Sequence, residues 1–270
     1  MNPKQALLKQ LETLLRDAAA TELMPRFRHM ERQFKTDGSI VTEADHACQE
    51  KLTRALQQQW PEIALLGEEM SKTQQQSVMD NSQNGLWVLD PLDGTSNFAA
   101  GIPCFSISLA LLIDHQVQLG LIYDPIRKEC FSAIAGEGAW LNGEPLNATE
   151  QTLLPLNQCM AQIDFKRLPQ SLAAQMASHP PYSSQRSFGS GALDWCWLAA
   201  GRVQVYLHGK QKLWDYSAGQ LILTEAGGQS CTLEGEAVFH NSLTPRSVIG
   251  ASHTGYFDVW QEAVSAALKA

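Results

Sequence analysis

The run Leu86-Trp87-Val88-Leu89-Asp90-Pro91-Leu92-Asp93-Gly94-Thr95-Ser96-Asn97-Phe98 sets two carboxylates at the end of a hydrophobic strand. In layered α/β proteins ligands bind beyond the carboxyl ends of strands, so Asp90 and Asp93 stand where chemistry is done. Pro91 stiffens the turn between them, and Gly94 lets the backbone approach a ligand closely. Thr95 and Ser96 can open a helix whose leading N–H groups lack helical partners and point outward. Carboxylate oxygens beside a helix N-terminus suit a phosphate bridged by hard divalent cations. Taken alone, D-x-x-D-G reads equally well as a turn with Asp90 as a cap.

Further acids are placed in the same manner. Glu68-Glu69 ends the short apolar run Ala64-Leu65-Leu66, Asp45 lies in the first turn of a helix, and Asp215 follows Trp214 at the start of another. Each alone reads as a cap or a solvated residue. Together they describe carboxylates converging from the ends of several elements, as a multi-metal site requires.

The elements that must position these acids follow from periodicity. Residues 3 to about 30 read as an amphipathic helix, with Pro3 first and Leu7, Leu8, Leu11, Leu14, Leu15 and Ala18 at helical spacing; Pro25 bends or ends it. Asp37-Gly38 is a turn. Thr42 and Asp45 form a capping box that opens a helix with Cys48, Leu52, Ala55 and Leu56 on one face, stopped by Trp60-Pro61. Residues 70–85, rich in Gln, Ser and Asn, read as an exposed loop. Phe105–Ile113 and Gln116–Tyr123 form a hairpin turning at Asp114-His115, and Asn142-Gly143 is another tight turn.

A second half begins near residue 152. It holds a strand over 159–163, an irregular or helical connection over 167–185 broken by Pro180-Pro181, and a helix from Gly189-Ser190-Gly191 to Ala199. A strand over 203–207, a helix from Trp214-Asp215 to Gly227-Gly228, short strands and a closing helix over 254–269 complete it. The class is α+β, with an N-terminal α+β domain over 1–152 and a C-terminal α/β domain over 153–270.

The totals narrow the function. Asp and Glu outnumber Lys and Arg 28 to 20 in 270 residues, a net charge of -8. That argues against a general nucleic-acid binder, which carries a basic footprint, and it suits a site that gathers cations. The six cysteines are scattered without C-x-x-C pairs or zinc spacing, which reads as buried, reduced thiols of a cytosolic protein. The N-terminus lacks a signal-type apolar core, and no apolar run is long enough to span a membrane, so a soluble cytoplasmic protein is expected. His29, His46, His115, His179, His240 and His253 lack metal-ligand spacing. Trp87, Trp140, Trp195, Trp197 and Trp260 read as core or interface aromatics, and Trp214 helps position Asp215.

The motifs resemble the inositol monophosphatase family, of the wider lithium-sensitive, magnesium-dependent phosphatase superfamily. Its strand followed by D-P-x-D-G-T stands here as Trp87-Val88-Leu89-Asp90-Pro91-Leu92-Asp93-Gly94-Thr95. Its W-D-x-A-[AG] is similar to Trp214-Asp215-Tyr216-Ser217-Ala218-Gly219, in which Ser217 adds a position of spacing. Val41-Thr42-Glu43-Ala44-Asp45 resembles V-T-x-x-D, Gly67-Glu68-Glu69 resembles G-E-E, and Thr224-Glu225-Ala226-Gly227-Gly228 matches the end of the helix after W-D. Order and spacing agree over nearly the whole chain.

The resemblance implies a layered αβαβα sandwich of the carbohydrate-phosphatase type, a homodimer, and roughly two or three Mg²⁺ ions. Their ligands would be Glu68, Asp90, Asp93, Asp215 and the carbonyl of Leu92. Asp45 and Thr95, with Glu68, would orient and activate a metal-bound water for in-line attack on phosphorus. Gly94 and Thr95 would hold phosphate oxygens through backbone N–H groups, beside Asp93 and Asp215. Ser190 and Gly191 resemble the loop that meets the hydroxyl-bearing part of the substrate, although Gly189-Ser190-Gly191 reads equally as a turn before a helix.

The implied reaction is hydrolysis of a small phosphate monoester, an inositol monophosphate or a related sugar or polyol phosphate. One departure bears on substrate: seven residues before Asp215, where the family generally places Glu, stands His208, flanked by Lys210 and Lys212. This could favour a second anionic group on the substrate, or the lysines could simply be solvated. Rivals within the superfamily are phosphatases for 3′-phosphoadenosine 5′-phosphate, histidinol phosphate or fructose 1,6-bisphosphate. The Thr95-Ser96-Asn97-Phe98 continuation leans towards the inositol branch, since the nucleotide and histidinol branches often carry Lys after the Thr. A regulatory binding partner of a transcription complex is the alternative from another class.

Overall fold

The computed structural model describes residues 3–27, 33–34, 40–147 and 153–269. Helix α1 (Pro3–Ala18) continues through a π turn over Ala19–Leu23 and stops before Pro25, whose ring cannot extend it. The Asp37-Gly38 turn lies outside the described residues. Strands β1 (Gln33–Phe34) and β2 (Ile40–Val41) form a small antiparallel pair. Helix α2 (Glu43–Gln59) starts at the Thr42/Asp45 capping box and ends with Trp60 as its cap.

Strands β3 (Ala64–Gly67), β4 (Leu86–Asp93), β5 (Ser106–Ile113), β6 (Gln116–Asp124), β7 (Glu129–Ile134), β8 (Gly138–Leu141) and β9 (Glu144–Leu146) lie side by side in that order as a seven-stranded sheet. Only β3 and β4 run parallel; the other pairs are antiparallel. The β5–β6 turn is tight because Asp114 (φ 49°) and His115 (φ 58°) both adopt left-handed backbone, as does Asn142 (φ 52°) before Gly143 (φ 85°).

A five-stranded sheet follows in the order β11 (Ser184–Arg186), β10 (Met160–Asp164), β12 (Val205–Gln211), β14 (Arg246–Ala251), β13 (Gln229–Cys231). Strand β10 is parallel to both β11 and β12, and β14 is antiparallel to β12 and β13.

Alternation along the strands sorts side chains into three cores. Trp87 and Leu89 of β4 pack with Leu11, Leu15, Leu52 and Leu56 of α1 and α2. Leu86 and Val88 face the other way, onto helices α6 (Gly191–Ala199) and α7 (Leu213–Glu225), where they meet Trp195, Leu198, Tyr216 and Ile222. Tyr206 of β12 joins that middle core, whereas Val205 and Leu207 pack with Leu172, Met176, Trp260 and Val264 of helices α5 (Gln170–Ser178) and α8 (Thr254–Lys269). The result is five layers, αβαβα. Coverage on both faces explains the near-continuous apolar runs of β4 to β6. Each fully buried Leu contributes about 1.5–3 kcal/mol relative to exposure.

The expectation of an exposed loop over 70–85 is corrected. Helix α3 (Lys72–Asp80) occupies most of it, opened by a second capping box in which Ser71 Oγ accepts from Gln74 N at 3.3 Å and Gln74 Oε1 accepts from Ser71 N at 2.9 Å. All six cysteines are buried and unpaired with one another. Among the described residues no helix is long and apolar enough to cross a membrane.

Candidate active site

Register brings the first two acids together. Gly67 of β3 lies opposite Leu89 of β4, so Glu68 and Asp90, one residue further on each parallel strand, emerge at the same sheet end. The Glu68 N–H donates to Leu89 O at 3.1 Å, fixing that arrangement. Between Asp90, opposite Ser108, and Asp93, opposite Ser106, β4 carries one residue more than β5. This bulge tolerates Pro91, which has no N–H to give a ladder, and it re-aims the chain. Within it the Asp90 Oδ1 accepts from Leu92 N at 3.0 Å.

Gly94 (φ 91°) then turns into helix α4 (Thr95–Ala100). A side chain here would bring its Cβ within 2.9 Å of Cys104 O, so both backbone angle and space demand glycine. Phe98 anchors α4 against Phe105 and Phe27, with ring centroids 4.9 and 5.4 Å away. Asn97 Nδ2 donates to Cys104 O at 2.8 Å and Phe188 O at 2.6 Å, tying α4 to the segment that leads into Ser190.

Asp215 arrives on α7, in a box where its Oδ2 accepts from Lys212 N at 2.8 Å. Ser108, the cross-strand partner of Asp90, donates its hydroxyl to Trp214 O at 3.1 Å and pins the start of α7 beside β4 and β5. Ser217 occupies a regular helical position, its hydroxyl donating to Leu213 O at 2.5 Å, so it substitutes within the turn and inserts no extra spacing. A Cβ placed on Gly191 would sit 4.0 Å from Asp93 Oδ1 and 3.9 Å from Asp215 Cβ, which brings three distant segments to one point.

Glu68, Asp90, Leu92, Asp93, Gly94, Thr95, Ser190, Gly191, His208 and Asp215 line one cavity of about 560 Å³. Asp45 stands one hydrogen bond behind its wall, its Oδ1 accepting from the Thr95 hydroxyl at 3.0 Å. The Thr95 oxygen is also 3.0 Å from Leu92 O.

The acids crowd each other. Burial, then the charges of Glu68, Asp93 and Asp215, hold the Asp90 carboxyl well above the usual carboxylate range. Burial raises Asp93 to about 6 against the pull of its hydrogen bonds. Burial, then Glu68 and Asp93, raise Asp215 to about 8. Asp45 is likewise raised by burial, opposed by bonds from Thr42 and Thr95.

Each acid has found its own partner. Asp93 accepts from Ser190 Oγ at 2.5 Å, Ala192 N at 2.8 Å and Gly191 N at 3.2 Å, at the start of α6. Glu68 Oε1 lies 3.5 Å from Lys212 Nζ. Among the described residues no group of three or more His, Cys, Asp or Glu side chains is arranged to hold a metal ion as it stands. The donor set nonetheless fits Mg²⁺: it is all carboxylate and carbonyl oxygen, and its mutual repulsion is of the kind a bound divalent cation relieves.

The sequence reading offered Lys212 only as a flank of His208 that could meet a second anionic group, and missed its pairing with Glu68. A Lys where helix caps are normally Ser, Thr, Asp or Asn was its signal; its ammonium lies over the Trp214 ring at 5.2 Å. It also missed Asp164, whose Oδ2 is 3.2 Å from His208 Nε2. With Lys210 N donating to His208 Nδ1 at 3.1 Å, both ring nitrogens of His208 are engaged.

The model of the inositol monophosphatase family matches residues 4–268. A Nus factor SuhB of Pasteurella multocida is 33% identical over 227 residues, 83% of this chain and 82% of its own. An inositol monophosphatase 1 of Solanum lycopersicum is 36% identical over 194 residues, 70% of each chain. Among solved structures, an IMPase of Thermotoga maritima superposes with a TM-score of 0.84 at 27% identity over 98% of both chains.

Proposed function

The chain belongs to the inositol monophosphatase family and is a phosphoric monoester hydrolase, and from that premise we propose that it cleaves an inositol monophosphate or a related sugar or polyol phosphate with Mg²⁺ as cofactor. The observation that carries the reading is the meeting of Glu68, Asp90, Asp93 and Asp215 around one cavity beside Thr95. These four carboxylates and the Leu92 carbonyl would hold the cation. When bound, it would neutralise phosphate oxygens and lower the pKa of water towards neutrality.

The chain's own groups supply the rest. With its proton directed to Asp45 Oδ1, Thr95 Oγ1 turns lone pairs towards the cavity and accepts a hydrogen bond from the attacking water. As that water closes on phosphorus in line with the leaving oxygen, its proton passes to Thr95 and the Thr95 proton to Asp45. Gly94 and Thr95 N–H groups hold equatorial oxygens of the phosphate. Ser190, Gly191 and His208 form the wall against the alcohol portion, with residues 153–270 supplying that wall and Asp215. The same likeness leads us to expect a cytoplasmic homodimer inhibited by lithium.

A screen of phosphate release from purified protein over a panel of monoesters, with and without Mg²⁺, tests this. Mg²⁺-dependent release from inositol or sugar monophosphates supports it; no release from any monoester overturns it.

A second reading rests on the Pasteurella multocida relative named as a Nus factor. The chain would also serve a transcription complex. An Asp93→Asn variant without turnover that still supports the cellular phenotype would favour this role; loss of the phenotype with turnover would remove it.

A further inference from the structure

Beyond the carboxylates, the cavity runs into a groove of about 1080 Å³, the two sharing Lys166, Arg167, Lys210 and Lys212 in their walls. Those four and Arg246, five of the chain's 20 Lys and Arg residues, line the groove against two acids, Glu234 and Glu236. Arg246 is paired with Glu236 at 2.7 Å and Lys212 with Glu68 at 3.5 Å. Lys166, Arg167 and Lys210 are exposed, and their side chains make no ion pair or hydrogen bond among the described residues. Three exposed cations thus sit at the mouth of an acidic cavity in a protein of net charge -8. Against the effect of burial, Arg167 joins His208 in lowering the Asp164 carboxyl.

The cluster is built by the backbone. Strands β10 and β12 are parallel neighbours with Asp164 opposite His208, and Lys166 and Lys210 each follow two residues later. Lys166 therefore lies just beyond the carboxyl end of β10, and Lys210 is the penultimate residue of β12. Both stand at the carboxyl ends of adjacent parallel strands, where α/β sheets bind ligands. Between them Gly209 permits a close approach: a Cβ there would fall 1.7 Å from Arg167 O. The 3₁₀ turn Phe165–Arg167 is seated directly on β12, which a side chain at 209 would prevent. The His208–Asp164 contact, 3.2 Å, closes the same seam from the cavity side.

We propose that this groove is a subsite for a second phosphate, so that the preferred substrate is a bisphosphate. This rests on the monoesterase reading above and specifies its substrate. One phosphoryl group reacts at the carboxylates: its P–O bond to the alcohol breaks, the oxygen of water takes that place on phosphorus, and the leaving alkoxide takes up a proton. The other phosphate is held by Lys166, Arg167 and Lys210 and leaves with the alcohol unchanged. An ammonium–guanidinium cluster suits a dianion with three acceptor oxygens better than it suits a neutral hydroxyl ring.

The test compares kcat/KM on matched pairs, inositol 1-phosphate with inositol 1,4-bisphosphate and adenosine 3′-phosphate with adenosine 3′,5′-bisphosphate, in Mg²⁺ at low and high salt. The bisphosphate should be favoured by about tenfold or more in at least one pair, through KM, and less so at high salt. The ratio should collapse in a Lys166→Ala/Lys210→Ala variant and survive in Lys210→Arg. Equal use of both members in each pair, or a preference unmoved by the double alanine variant, overturns the subsite while leaving the monoesterase intact. Turnover of none of the four overturns the monoesterase reading, and the subsite with it.

Discussion

The Thr95 hydroxyl donates to Asp45 Oδ1 across 3.0 Å, joining the first turn of α4 to the first turn of α2. The other Asp45 oxygen is taken by Thr42 N at 2.7 Å and Thr42 Oγ1 at 2.6 Å, so the capping box leaves Oδ1 for Thr95 alone. One structural device therefore aims a buried carboxyl at the Thr95 hydroxyl. Thr95→Ala deletes a single part-buried hydroxyl and should cost about 1 kcal/mol of stability, while kcat falls by about 10²–10⁴-fold. Thr95→Ser should recover most of the rate. Thermal unfolding and steady-state kinetics on the three proteins decide; wild-type turnover in Thr95→Ala would remove Thr95 from proton transfer.

Repulsion among the cavity acids gives a second prediction. Asp90 is buried, and its charge is opposed by Glu68, Asp93 and Asp215. Asp90→Asn keeps the acceptor for Leu92 N and discards the charge. Without cation, the variant should unfold at a higher temperature than wild type. Mg²⁺ at a hundred times its dissociation constant should stabilise wild type by about 2.7 kcal/mol and leave Asp90→Asn unmoved and inactive. Calorimetric scans over a Mg²⁺ series read both effects. A Mg²⁺ response in Asp90→Asn equal to that of wild type would exclude this acid as a ligand.

Asp194 is held towards its protonated form by burial. On the inner side of α6 and 6% exposed, it accepts from Gln162 Nε2. Burial, then the charges of Asp93 and Asp164, hold its carboxyl well above the ordinary range, opposed by bonds from Tyr206 and Gln162. A carboxyl raised on folding takes up a proton. Its contribution is complete below about pH 4, the unfolded value, and is lost as pH rises through the folded value. Asp194→Asn copies the protonated acid. Its melting temperature should match wild type at or below about pH 4 and exceed it by a growing margin as pH rises towards the folded value. A gap that is constant or narrows with pH would show that Asp194 is charged in the folded protein.

Much of this site could be read from local sequence because local rules built it. The Thr42–Asp45 box and the apolar strand into Asp90 are short-range patterns, and both formed as expected. The convergence is another matter: Ser190 reaches Asp93 across 97 residues and Lys212 reaches Glu68 across 144, and no period records such meetings. The basic groove was half visible. Lys210 and Lys212 stand together in the chain, but Lys166, Arg167 and Arg246 join them only through the β10–β12–β14 pairing. Helix α3 was missed because a polar Gln/Ser composition resembles a loop. Gln and Lys are nonetheless adequate helix formers, and the Ser71–Gln74 box supplied the start.

That helix has a consequence for Glu68. Gln75, buried at 8% exposure on α3, donates its amide to Gly67 O at 3.3 Å and Glu68 O at 3.1 Å. From the other side Gln49 Oε1, on α2, accepts from Glu69 N at 3.0 Å. Two glutamines thus clamp the turn that aims the Glu68 carboxylate, and Gln75 is a positioning residue. Gln75→Leu fills the space but takes the side-chain donor from Glu68 O, while Gly67 O keeps the Met70 N–H at 3.3 Å, a loss of about 1–3 kcal/mol. Because Gln75 acts through Glu68, the apparent Mg²⁺ affinity should fall by about 10–100-fold, with saturating Mg²⁺ recovering most of kcat. Gln76→Ala, on the exposed face of the same helix, loses only its bond to Asp80 and serves as the control. Should Gln75→Leu lose stability while its Mg²⁺ titration overlays that of Gln76→Ala, the clamp holds the fold and not the site.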